Sequence, residues 1–319
     1  MSVTIPRRKL PAVSQEWLLA IAIVVLLAVV GAMNPRFVAM RNLQTILLGN
    51  AYIAIAAIGM SMVIISGNID IAAGALIGVL ATISGTLAVN DVPLILCWLI
   101  PVVLGGAVMA GMGAMVAYAR IPSIVVTLGM LSILTGGLIL ATGGKWITDL
   151  PPGYDIAHRA IAGVPLPVVL MIGLTAIAAW WLRSTASGRA IYAVGGNAEA
   201  ARLCGIPARP TVVMTFAIHG LFVGIAAVLF ATQLSVIQST VPPNLALTII
   251  TASVVGGVSI LGGTGTVIGA TLAAVLIAAI GSSLVFVGIS PYWLRAVQGI
   301  LILVTVLADI LRRRRRGQA

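Results

Sequence analysis

Three observations on this 319-residue chain predict an all-α, polytopic membrane protein of about ten transmembrane helices, some of them broken or partial. Hydrophobic residues make up 61% of it and charged residues 8%, against roughly 45–50% and about 25% in a soluble domain. Apolar stretches recur from Trp17 to Leu311, repeatedly reaching the length of about 20 residues that carries a helix across a hydrocarbon core of about 30 Å. Charges collect at the ends of those stretches instead of inside them.

Taken in order, the stretches place helices near 17–33, 43–65, 71–89, 94–118, 123–141, 164–182, 211–233, 245–258, 265–287 and 293–311. The first follows Arg7, Arg8 and Lys9 as a signal peptide would, yet is long enough to stay as an uncleaved anchor. The second and third are divided by the polar run Ser66-Gly67-Asn68-Ile69-Asp70. After the fifth, residues 142–163 carry prolines and glycines that forbid a continuous helix and so form a loop. After the sixth, residues 183–210 form the longest polar interruption; Asn197–Leu203 has helix-forming composition, preceded by Gly195-Gly196 and stopped by Gly205 and Pro207, and predicts a short helix lying on the membrane face. The eighth stretch is short and leads into Gly256, Gly257, Gly262 and Gly263, which predicts an incomplete crossing. The last stops at the run Arg312–Arg316, inside a basic tail, 312–319.

Counting Lys and Arg on alternate sides sets an orientation. With the N-terminus in the cytoplasm, thirteen fall inside and five outside (Arg36, Arg41, Lys145, Arg159 and Arg295), the bias that cytoplasmic loops carry. Both basic termini are then cytoplasmic, 183–210 is an inner loop and 142–163 an outer, periplasmic one. The net charge of +11 serves topology and lipid headgroups; aromatic residues are too sparse around the basic clusters for a nucleic-acid surface.

Glycines recur four apart at Gly74 and Gly78, Gly220 and Gly224, and Gly265 and Gly269, a spacing that lets membrane helices approach closely. Cys97 and Cys204 form no ligand cluster and read as packing residues. The inventory holds no catalytic or metal site: the two histidines, His158 and His219, belong to no His-Glu-x-x-His motif. Neither lysine sits in the glycine-rich loop that cradles ATP phosphates, so no cofactor is expected and any ATP chemistry belongs to another chain. A carboxylate at membrane depth is costly and marks a pathway or a pairing, so Asp70 with Asn68 is a candidate gate. The plainer reading is that Asp70 caps the N-terminus of the third helix.

Three segments resemble the permease subunits of bacterial ABC importers for ribose and related monosaccharides. They are Asn68-Ile69-Asp70-Ile71-Ala72-Ala73-Gly74, the stretch Tyr192–Ile206 with Gly195-Gly196-Asn197-Ala198-Glu199-Ala200-Ala201 at its centre, and Gly256-Gly257-Val258-Ser259-Ile260-Leu261-Gly262-Gly263-Thr264-Gly265. Asn68 and Ala72 stand where that family has glycine and serine, and Cys204 where serine is common. Together with Thr142–Ile147, the first segment looks most like the branch handling rhamnose or the autoinducer-2 signal.

The resemblance implies one permease domain spanning 1–319, paired with a second permease, identical or paralogous, in the inner membrane. Cytoplasmic ATPase subunits would dock below and a periplasmic substrate-binding protein above. It makes 183–210 the coupling loop, with Gly195, Gly196, Asn197, Ala200, Ala201, Gly205 and Ile206 seating in the ATPase. Lys145, Trp146 and Asp149 offer polar and aromatic groups for docking the binding protein or closing an outer gate. An ion-coupled carrier and a branched-chain amino-acid permease are the rival readings.

Overall fold

The computed structural model describes residues 14–315, with side chains through Leu311; the basic residues at 7–9 and 312–316 carry no described side chains. Twelve helices order the described chain: α1 (Gln15–Met33), α2 (Met40–Ile65), α3 (Ala73–Val89), α4 (Leu94–Tyr118), α5 (Ser123–Thr142), α6 (Leu166–Ser184), α7 (Ala186–Gly196), α8 (Ala198–Leu203), α9 (Ala208–Ala231), α10 (Leu245–Val255), α11 (Val267–Phe286) and α12 (Trp293–Arg315). Eight are long and apolar enough to cross a membrane, while the apolar α3 and α10 fall short of that length. The fold is thus all-α and polytopic, with ten apolar segments of which two are partial.

Burial separates an inner from an outer set. On α2 every side chain from Ile53 to Ile65 is buried, as expected of a helix that is apolar all round. It packs on α9, α10 and α11. The helices α1, α4, α5, α6 and α12 turn large apolar side chains outward, among them Val24, Val103, Ile133, Ile177, Leu303 and Leu307. So many large apolar side chains on outward helix faces are the mark of a lipid-facing surface, not of a water-facing one.

The most extensively packed helix pair, α4 with α9, is built on small residues: a methyl added at Gly224 would collide with the backbone of Val102, and one at Gly106 with Leu221. The spacing of Gly220 and Gly224 therefore does mark a helix–helix approach. Gly78 instead receives the non-helical residues 240–242, Gly74 the start of α10 at Leu245 and Ala246, and Gly269 receives Gly256.

One end of the bundle, which we call proximal, holds residue 14 and the turns at 66–72, 119–122 and 256–266. Gln15 Nε2 donates to the Val255 carbonyl, Thr266 Oγ1 to Glu16, and the Ile69 N–H to Ser123 Oγ. The distal end holds 34–39, 90–93 and 143–165, tied by Asn34 Nδ2 to the Phe286 carbonyl and by the bridge between Ile147 and Ile237.

The short helix expected over Asn197–Leu203 is present as α8, and a second one, α7, precedes it, because Thr185 caps α7 by accepting from the Gly188 N–H at 3.0 Å and α7 buries Ile191 and Val194. Gly195-Gly196 therefore close α7. Cys97 is buried as a packing residue should be, but Cys204 is exposed. In the 142–165 segment, Ile156–His158 forms a helical turn and Ala160–Ile161 pairs with Val164–Pro165.

Candidate functional site

The three glycine-bearing segments singled out in the sequence, far apart along the chain, meet at the proximal end. The Gly263 N–H donates to the Ile65 carbonyl at 2.8 Å, fastening the 256–265 turn to the end of α2. A methyl on Gly262 would lie 2.6 Å from the Gly195 carbonyl oxygen and 3.0 Å from Gly67 Cα, and one on Gly263 would lie 2.7 Å from Gly196 Cα. Gly195 admits no methyl either, since the Ile65 carbonyl occupies that space. Gly262 and Gly263 also hold φ of +79° and +74°, where a side chain is strained. Backbone thus touches backbone where the end of α7 meets the end of α2 and the 256–265 turn. Tyr192 adds a fourth tie, its hydroxyl donating to the Gly265 carbonyl at 3.0 Å.

From this junction α8 projects outward. Asn197 caps it, its Oδ1 accepting from the Ala200 N–H at 2.9 Å, and the Ile206 N–H returns to the Ala201 carbonyl. Ala201 is buried and Ile206 half-buried, whereas Ala200, Leu203 and Gly205 are exposed. Leu203 is 79% exposed, a large apolar side chain displayed on a small rigid knob.

One step deeper lies Asp70, wholly buried, with His219 Nε2 3.1 Å from its Oδ2. His219 is also wholly buried, about halfway along α9. The ring fits because α2 has Gly59 there, where a methyl would meet His219 Nδ1 at 2.6 Å. Asp70 Oδ1 accepts from the N–H of Ala72, the residue that leads into α3, at 2.8 Å, so the carboxylate also fixes the turn before that helix, where the helix dipole favours a negative charge. Of the two readings of Asp70 made from the sequence, capping needs correction: the N-cap of α3 is Ala72, and instead of capping the helix Asp70 bonds the N–H of that residue from two positions upstream. Its partner His219 could not be found by spacing, since 149 residues separate them.

Asn68 takes a different position. It is half-buried beside a crevice of about 380 Å³ shared with Gly67, Arg120, Pro122 and Ser123, and its amide donates to Ser66 Oγ at 3.1 Å. Among the described residues no three His, Cys, Asp or Glu side chains gather as a metal site requires.

At the distal end Lys145, Trp146 and Asp149 are exposed, with Trp146 at 61%. Their loop is anchored by Ile147 and by Tyr154, whose buried hydroxyl donates to Ser84 Oγ at 2.9 Å. Burial pushes the Tyr154 phenol up to about 12, against a smaller lowering by that hydrogen bond, so it stays a donor.

A family model described as "Branched-chain amino acid transport system / permease component" matches residues 42–306, which include all three converging segments. The chain belongs to this family. The permease is also similar to proteins called "Autoinducer 2 import system permease protein LsrC": 34% identical over 290 residues in Enterobacter sp. (strain 638), covering 91% of this chain and 84% of that one. The counterpart from Salmonella typhi is 34% identical over 292 residues, with the same coverage. That from Escherichia coli (strain K12 / DH10B) is 32% identical over 292 residues, 91% of this permease and 85% of the relative. No solved structure matches. The protein is therefore a transport component of the membrane, as its ten apolar segments require.

Proposed function

We propose that this permease carries a neutral sugar-like molecule of the autoinducer-2 class inward across the inner membrane, with ATP hydrolysed on a partner chain. The carrying observation is the three-turn glycine junction, because it supplies a rigid route from an exposed helix to the helices that enclose the core. Leu203 and Ala200 on α8 suit a groove on a cytoplasmic ATPase, and motion of that ATPase would reach Gly262 and Ile65 through α7. The relatives' import systems for autoinducer 2 support the solute class.

In this reading the proximal end is cytoplasmic, and Asn68 borders the inner gate while Asp70 and His219 hold the gate turn from behind. Lys145, Trp146 and Asp149 face a periplasmic binding protein, and a second permease, identical or paralogous, completes the pathway. An aromatic and two charged groups around a tethered loop form a surface suited to a transient protein contact.

Uptake into membrane vesicles tests the energy source. Autoinducer-2 uptake that needs both ATP and the binding protein is expected; uptake by the isolated chain on a proton or sodium gradient would overturn the reading. That rival has a specific observation behind it, since a buried Asp–His pair is also what a proton carrier uses. Bulky substitutions on the coupling segment, Ala200→Phe and Gly205→Val, are expected to leave the protein in the membrane and uncouple ATP hydrolysis from uptake. Normal transport in both would remove α8 from the coupling role.

A further inference from the structure

Residues 232–244, between α9 and α10, leave regular structure inside the bundle. They run along one face of α3: a methyl on Gly85 would strike Ile237, and one on Gly78 would lie 3.2 Å from Val241 Cα and 3.3 Å from the Thr240 carbonyl oxygen, while just past the stretch one on Gly74 would lie 2.7 Å from the nitrogen of Ala246 in α10. At a rise of about 1.5 Å per residue, Gly78 stands about 8 Å from one end of α3 and about 16 Å from the other. Residues 240–242, opposite Gly78, therefore lie at membrane depth, while Ile237 sits nearer the distal end, where it bridges Ile147.

Non-helical backbone survives at that depth only where protein buries it or water reaches it. Protein does not bury this one entirely. Ser235, Gln238 and Thr240 are exposed, and polar groups cannot be left to lipid tails that offer no hydrogen bonds. Ser239, wholly buried between them, has a hydroxyl with no hydrogen-bond partner among the described residues. Between Gln238 and Pro243 the one backbone–backbone hydrogen bond among the described residues runs from the Thr240 N–H to the Gln238 carbonyl, at 2.8 Å. Thr82 and Thr86 follow Gly78 at four-residue spacing, and so extend the same side of α3. Both instead line a mostly apolar lateral cavity of about 500 Å³ against α5 that is separate from the 232–244 edge, and the buried Thr82 hydroxyl donates to the Gly78 carbonyl.

We infer that the edge formed by Ser235, Gln238 and Thr240 is the stretch of the pathway that the solute touches. It takes a neutral, hydroxyl-rich solute. Amide, hydroxyl and free backbone groups donate and accept in turn, as the hydroxyls of such a solute do, and the patch contains no ionised side chain. Discontinuous membrane segments whose backbone groups are open to a cavity serve transported solutes in the same physical way. The solute class rests on the reading proposed above; the position of the wall does not.

The test places Gln238→Cys and Thr240→Cys, each on a Cys204→Ser background, in the complete transporter in membrane vesicles. The probe is the charged reagent 2-sulfonatoethyl methanethiosulfonate. Both positions are expected to react with it, and autoinducer-2 is expected to slow the reaction. Resistance at both positions, at rest and during ATP turnover, overturns the inference, because the edge would then be dry against another protein surface. In parallel, Gln238→Leu and the near-isosteric Thr240→Val, matched for the amount inserted, are each expected to lower uptake about fivefold, the effect of one lost hydrogen bond of about 1 kcal/mol. Reactive cysteines with unchanged uptake in both variants also overturn it, since the edge would then be a wetted wall the solute passes untouched. Failure of ATP-driven autoinducer-2 uptake in the unmodified permease sinks the solute class instead, and the thiol reaction still decides where the pathway runs.

Discussion

His219 shows how much a single side chain can fix. A lone carboxylate at membrane depth is unstable unless paired, and Asp70 has two partners, the His219 ring and the Ala72 N–H. Removing the ring leaves the carboxylate buried with the backbone bond alone, at a cost of about 3–5 kcal/mol. His219→Ala should therefore lower the melting temperature of the detergent-solubilised permease clearly, and His219→Ala with Asp70→Leu should recover part of the loss by removing the stranded charge. Melting of the double variant below the single one would show that the pair is worth more than the charge it shields. Gly59 belongs to the same unit: any side chain there displaces the ring.

At the scale of elements, the junction rather than any helix is the distinctive construction. Gly262→Ala places a methyl 2.6 Å from the Gly195 carbonyl oxygen, and overpacking of that kind costs about 1–3 kcal/mol. The expected result is a permease that inserts but melts earlier and transports poorly. Gly111→Ala in α4 is the control, because nothing lies within 4 Å of the added methyl and alanine favours a helix interior over glycine by about 0.5–1 kcal/mol. Equal behaviour of the two variants, read by thermal unfolding and by uptake, would dismiss the junction as a tight contact. The same logic separates Gly220 and Gly224, pressed on the backbone of α4, from glycines of α5 such as Gly129 and Gly136, which face open space.

For the whole molecule, the structure supplies a native reporter of orientation. Cys204 is exposed beside α8 and Cys97 is buried, so a membrane-impermeant maleimide sees one thiol. Inverted vesicles should label and right-side-out spheroplasts should not. The reverse pattern would place α8 outside and break the connection to a cytoplasmic ATPase. The distribution of basic residues, thirteen against five, predicts the first result.

What the sequence determined was set by composition and period. The count of apolar segments, the incomplete α10 after which glycines crowd, and the polar interruptions at 142–163 and 183–210 were legible because length and hydropathy dictate them before any contact forms. Residue type also marked Asp70, and the glycine-rich segments carried the family resemblance. Tertiary structure alone decided which partners those residues meet: His219 for Asp70, Gly195 and Gly67 for Gly262, and α3 for the 232–244 stretch. The reason is physical. A glycine or a carboxylate announces that something must come close, but its identity depends on how ten apolar segments pack, and in lipid that packing is chosen by shape and hydrogen-bond satisfaction across the bundle, not by a pattern along the chain.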